Sequence, residues 1–304
     1  MKSQSPGARV MKSLLNVHLA TVLFGLAGVL GVLSGLPAPL IVLGRVAFAS
    51  LALVVAVIVL RVPVRVQNRA DLTYLALTGT LLAMHWTAFF LSIVLSNVAT
   101  GLLSFATFPL FATVFEPLLL RTQLRKHHML LAAGVIPGIA LLVPQLSWTN
   151  HITLGVAFGL FAAATFAILS IANRGLGRRY HSLTISLFQE VGATMVLAPV
   201  LFWLHPSALL SARTLLTLVL LGVFCTAAAH TLFIEGMRSM TARSASLIAS
   251  LEPVWGTLFG ILLLNQHPAM RTILGGAIIL AAATTPLFLK DEIGAQGFGE
   301  TPIQ

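Results

Sequence analysis

The chain has 304 residues, 58% of them hydrophobic and only 9% charged, too few polar side chains to cover a water-facing surface. A net charge of +10 would suggest a nucleic-acid partner for a soluble protein, but nearly all the cations fall in alternate loops between apolar runs, as orientation by the positive-inside rule produces. Composition thus excludes a soluble domain and nucleic acid, and leaves the lipid bilayer as the first partner.

Hydrophobic runs of about 20 residues, each long enough to cross a core of about 30 Å, predict helices at 14–33, 38–60, 72–94, 98–120, 128–146, 152–172, 183–204, 214–236, 242–264 and 269–289. The start, MKSQSPGARVMK, is basic but leads to no small-residue cleavage site, so residues 1–13 read as a segment ahead of a retained first helix. With that segment cytoplasmic, inside loops hold fifteen cations and outside loops two, Arg213 and Arg271, while Arg45 lies within the second span. Both termini are then inside. The polar residues 290–304 read as a disordered cytoplasmic tail. The single cysteine, Cys225, excludes an intrachain disulfide and reads as a small buried apolar residue.

The chain also repeats itself. Residues 96–120, SNVATGLLSFATFPLFATVFEPLLL, align with 240–264, MTARSASLIASLEPVWGTLFGILLL, at an offset of 144, matching Pro109 with Pro253, Thr100 with Ser244 and Phe111 with Trp255. Five helices per half is an odd number, so the second copy enters the membrane from the opposite side. The expected fold is all-α integral membrane, ten transmembrane helices in two inverted five-helix repeats at 14–146 and 152–289. Many secondary carriers use such halves to rock about a site near the midplane.

Ser244, Ser246, Leu247, Leu251, Glu252 and Pro253, followed by Gly275 and Gly276 in the last helix, resemble the second half of the EamA-type drug/metabolite transporter superfamily; the segments around Arg45 and Pro109 are similar to its first half. The resemblance covers about residues 14–289. It implies a central cavity lined by helices one to four and six to nine, and export of small metabolites across a bacterial inner membrane. The sequence looks most like the branch exporting aromatic and other neutral amino acids. Many members carry a glutamate after the fourth and ninth spans, where this chain has Thr122 and Gln266.

Candidate site residues follow from polar groups placed deep in apolar spans. His85 with Trp86 and Phe89 in the third span, and His230 with Phe233 in the eighth, are related by an offset of 145 and expected to face one cavity. A ring nitrogen there can bind a substrate carboxylate, and aromatic faces can receive an ammonium; the alternative is a histidine satisfied by a backbone carbonyl. Thr100, Ser104, Thr107 and Phe111 share one line of the fourth helix and read as a cavity wall, or as hydroxyls capping the preceding turn. By symmetry Ser244 and Trp255 line the opposite wall, with Glu252 at its edge, while Ser246, Ser250 and Thr257 serve close helix packing. Arg45 and Glu190, also 145 apart, are candidates for gating or coupling; the plainer reading is a snorkelling Arg45 and a locally paired Glu190. Glu116 and Glu235 read as interfacial partners of Arg121 and Arg238.

No nucleotide-binding G-x-x-x-x-G-K-[ST] loop and no H-E-x-x-H is present, so the reading is a secondary exporter, not an enzyme, with no cofactor and no metal. Its partner is a small neutral solute, foremost an amino acid; drugs, nucleobases or other small organic solutes are the alternative, ahead of a passive channel or a membrane enzyme. Proton antiport through Glu252 or Glu190 and uniport are both compatible with the residues.

Overall fold

The computed structural model describes residues 6–120, 134–143, 145–204, 211–240 and 242–284. Thr122, the loop cations Arg121, Arg125 and Lys126, the start of the fifth predicted span and the tail at 290–304 lie outside the described residues.

Among the described residues the chain is all helix and turn, and eight helical segments are long and apolar enough to cross a membrane. The first three spans run unbroken as α1 (Pro6–Leu33), α2 (Ala38–Val59) and α3 (Arg69–Leu95). The fourth is split into α4 (Val98–Phe105) and α5 (Phe108–Leu120). A short α6 (Ile136–Leu142) precedes α7 (His151–Leu176) and α8 (Ser182–Leu197), the latter ending in a 3₁₀ turn at Ala198–Phe202. The eighth span is α9 (Ala212–Gly222), a π-helical turn (Val223–Ala228) and α10 (Ala229–Gly236). The ninth is split into α11 (Ala242–Ala249) and α12 (Glu252–Leu264), and α13 (Met270–Thr284) follows.

Helix starts follow local chemistry. Asn68, Asn97 and Asn150 accept hydrogen bonds from Asp71 N, Thr100 N and Ile152 N at 2.8–2.9 Å, covering amide groups that have no partner in the first turn. The fourth and ninth spans, expected to be continuous, are both interrupted. Each break comes just before a proline, Pro109 or Pro253, which has no N–H to give the preceding turn and clashes with the carbonyl four residues back. The two breaks are 144 residues apart, the offset of the sequence repeat.

Packing is dominated by contacts between the two halves. Helix α3 lies against α7 and α8, α2 against α8 and α9, and α1 between α10 and α12. Apart from this bundle, α6 and α13 pack on each other where Gly138 meets Gly275: a Cβ on either would stand 2.7–2.8 Å from the other's carbonyl oxygen. The interior of the bundle is strongly aromatic. Phe166 of α7 is ringed by His85, Phe105, Phe108 and Phe233, with ring centroids 4.8–5.5 Å apart.

Candidate functional site

Three faces of this interior carry polar groups. The first is built on the π-turn. One extra residue per turn shifts the hydrogen-bond register, so the Ala229 N–H donates to Phe224 O, five residues back, and not to Cys225 O. The Cys225 carbonyl accepts instead from Arg45 Nη2 at 3.2 Å, while Thr226 Oγ1 accepts from Arg45 Nε at 2.9 Å and donates to Leu221 O at 2.8 Å. The guanidinium sits over the Trp86 ring, its carbon 3.6 Å from the ring centroid, with the Phe90 centroid at 5.3 Å. Arg45 is 0% exposed. It does not snorkel, contrary to the plainer sequence reading, because its nearest polar partners are on the neighbouring span and not at the membrane surface. Arg45 Nη1 and Trp86 Nε1 remain buried without a hydrogen-bond partner.

The second face is His85, whose Nδ1 lies 2.9 Å from the Ala162 carbonyl. A carbonyl only accepts, so Nδ1 carries the proton and Nε2 of the neutral ring is a buried, unpartnered acceptor. The third runs along α7, α8 and α10. Gln189 Nε2 donates to Asn173 Oδ1 at 2.6 Å, Asn173 Nδ2 lies 3.5 Å from His230 Nε2, and His230 Nδ1 stands 3.2 Å from Glu190 Oε1. That last contact has ion-pair distance but not hydrogen-bond alignment, and both Glu190 oxygens are buried without an aligned donor. Glu252, 2% exposed at the first turn of α12, lies close enough to Arg45 to interact electrostatically, as does Glu190.

The structure therefore gathers Arg45, His85, Trp86, Phe89, Glu190, His230, Phe233 and Glu252 in one interior, and alters the expected role of two of them. The face of Trp86 is already covered by Arg45, which leaves only its N–H for a ligand. His85 presents an acceptor, so it suits an ammonium and not a carboxylate. Ser104 and Thr107 are buried but return their hydroxyls to the carbonyls of Thr100 and Ser104 at 2.7 and 2.8 Å, the capping alternative. Ser250 likewise donates to Leu247 O. Phe111 is half-buried beside Phe115, and Ser244 lies on α11 with intermediate exposure. Trp255, 36% exposed and stacked on Phe259, makes no ring contact with the cluster among the described residues. Glu116 pairs with Arg174 at 3.3 Å, its expected partner Arg121 lying outside the described residues, and Glu235 pairs with Arg238 as expected.

Reasoning from sequence passed over Asn173, Gln189 and Thr226. Each is a polar side chain in an apolar stretch, and that was the available signal. Also unanticipated was a cluster where α3 begins, at the end of the bundle that holds the start of α1. Asp71 accepts from Arg179 at 2.7 Å and from the Tyr180 hydroxyl, which in turn accepts from Gln67 N. Burial, and then the hydrogen bond to Asp71, raise the Tyr180 pKa above its ordinary value. At the opposite end a cleft of about 380 Å³ opens between Asn97, Gln266 and Arg271 and reaches Thr100 and Thr257. Gln266, in the short break after α12, accepts from Val98 N at 3.3 Å.

A membrane-embedded interior with opposed donors and acceptors suits a carrier, and proteins of similar sequence are transporters. Residues 153–285 match the EamA-like transporter family. The transporter YwfM of Bacillus subtilis is 24% identical over 88% of this chain and 90% of its own. The pseudopaline exporter CntI of Pseudomonas aeruginosa is 25% identical over 71% of this chain and 75% of its own. An S-adenosylmethionine uptake transporter of Rickettsia prowazekii is 23% identical over 68% of each chain. One solved crystal structure shares the fold, with a TM-score of 0.70 at 19% identity, over 92% of this chain and 97% of that one.

Proposed function

We propose that this chain is a secondary exporter of small neutral metabolites, foremost amino acids, working by alternating access in a bacterial inner membrane with both termini cytoplasmic. The observation that carries the reading is the buried polar interior, where unpartnered donors on Arg45 and Trp86 lie among an unpartnered acceptor on His85 and the Glu190 carboxylate, which touches His230 but accepts no hydrogen bond. Unpaired polar groups in a membrane interior are costly, and a solute bearing both charges supplies what each side lacks. The transporter relatives and the matched family support the general class.

The proposed frame is ten spans in two inverted repeats, 14–146 and 152–289. Two observations support it: the helix breaks recur at the repeat offset of 144, and Ser50 Oγ lies 3.2 Å from Thr194 Oγ1, its counterpart at that same offset. Side chains related by a two-fold axis meet each other only near the axis.

Purified protein in liposomes is expected to show saturable counterflow with neutral L-amino acids. Flux that rises linearly with concentration and shows no exchange indicates a channel and overturns the carrier reading. Cells expressing the chain are expected to resist toxic amino-acid analogues; increased sensitivity would assign uptake in place of export.

A further inference from the structure

Arg45 is a buried cation held entirely by uncharged groups. Its Nε and Nη2 are fixed by a hydroxyl and a carbonyl and its plane by the Trp86 indole, while among the described residues it makes no ion pair. Glu190, the acid at its repeat-related position, is in contact with His230 instead. The side chain is thus immobilised through every part except Nη1, and that nitrogen has no partner. A cation kept in low dielectric without a contact anion is costly, and so is an orphaned N–H. The adjacent indole N–H is orphaned in the same way, and because the guanidinium carbon lies only 3.6 Å from the indole centroid the two donors are near neighbours.

We propose that Arg45 Nη1 and Trp86 Nε1 together anchor a carboxylate of the transported solute. This rests on the transporter reading and defines the chemistry of one end of the substrate. Two N–H donors match the two oxygens of a carboxylate. A phosphate, with more oxygens and up to two charges, would find one cation and two carboxylates here and is disfavoured. A lipophilic cation would leave both donors unpaired. The π-turn is the device that makes the anchor: it frees the Cys225 carbonyl to hold the guanidinium without neutralising it.

The test compares matched probes on the full-length protein in nanodiscs. L-Phenylalanine and 3-phenylpropionate keep the carboxylate, while phenethylamine and phenylalanine methyl ester lack it; L-leucine, 4-methylpentanoate and 3-methylbutylamine form an aliphatic series. Ligand-induced thermal shifts are expected to show the acids binding at least about tenfold more tightly than the carboxylate-free probes. Arg45→Gln is expected to erase that difference. Trp86→Phe, which keeps the stacked ring and removes the N–H, is expected to weaken only the acids, by about threefold or more. Equal binding of acids and carboxylate-free probes, no binding of any acid, or unchanged acid binding in Arg45→Gln overturns the anchor.

Arg45→Gln leaves Glu190 and Glu252 without their nearby cation, so its fold is checked by size exclusion beside Arg45→Gln/Glu252→Gln, in which one charge of each sign is removed. A folded double variant that still binds acids would show that Arg45 is only a counter-charge and overturn the anchor; one that folds but does not bind them supports it. If both variants fail to fold, the probe series on the wild type and Trp86→Phe decides. The two readings fail separately: acid binding without counterflow defeats the transporter assignment and keeps the anchor, whereas counterflow of esters and amines does the reverse.

Discussion

His230 and Glu190 show how much a single buried contact can carry. Both are nearly or fully buried, 3% and 0% exposed at the side chain, so neither has water to fall back on. His230→Ala would leave the carboxylate facing an empty space and is expected to cost about 3–5 kcal/mol of stability. Glu190→Gln, which removes the charge but keeps a group able to bond the imidazole, is expected to cost less; thermal melts in detergent would rank the two. Equal losses would mean that the imidazole does not interact with the carboxylate charge. From sequence, each residue is legible as a titratable group deep in an apolar span, and the offset of 145 already relates His230 to His85 and Glu190 to Arg45. Their meeting is not legible, because it depends on how α8 packs on α10. The burial of Arg45 is hidden for a sharper reason: its partner carbonyl exists only because of a register shift that no residue type encodes.

At the scale of elements, helix approach depends on a few missing side chains. A Cβ on Gly25 of α1 would stand 2.8 Å from Gly256 N and from Trp255 Cβ, and 3.0 Å from the Glu252 carbonyl, so backbone atoms block it. Gly25→Ala is therefore expected to push α1 from α12 and cost about 1–3 kcal/mol. Gly175, near the end of α7, has nothing within 4 Å of the point a Cβ would occupy and lies in helical backbone, so Gly175→Ala should raise stability by up to about 1 kcal/mol. A Gly25→Ala protein as stable as the wild type would show that α1 does not seat against the first turn of α12. The eight described spans were legible as apolar runs, and the prolines marked where the fourth and ninth break, yet the hydrophobic pattern alone continued those helices through the breaks. A run that is apolar all round gives length but no orientation, so it does not by itself say which way Trp255 points.

For the molecule as a whole, the two ends of the bundle differ. One is tied across the halves by Asp71 with Arg179 and Tyr180, by Tyr180 with Gln67, and by Thr184, whose hydroxyl donates to Pro63 O at 3.1 Å. The other carries the open cleft beside Asn97 and Gln266. Tyr180→Phe and Asp71→Asn each remove part of the tie, and hydrogen exchange in residues 63–71 and 177–181 is expected to quicken in both. Alkaline pH should do the same: the phenol's raised value means that the tie is intact below the ordinary tyrosine range and is lost as pH rises through the raised pKa, where the hydroxyl no longer has a proton to donate. Unchanged exchange in both variants would show that this end is held by helix packing alone.

The π-turn breaks whatever likeness the halves retain. It interrupts the eighth span, while the third, its counterpart, runs unbroken over Arg69–Leu95. A chamber assembled from two equivalent halves would accept a dipolar guest in either of two opposite poses. With the guanidinium fixed on one helix and the acids on others, this interior has a head and a tail, so a dipolar guest of the kind proposed would meet one favoured orientation, set by a one-residue irregularity in the backbone.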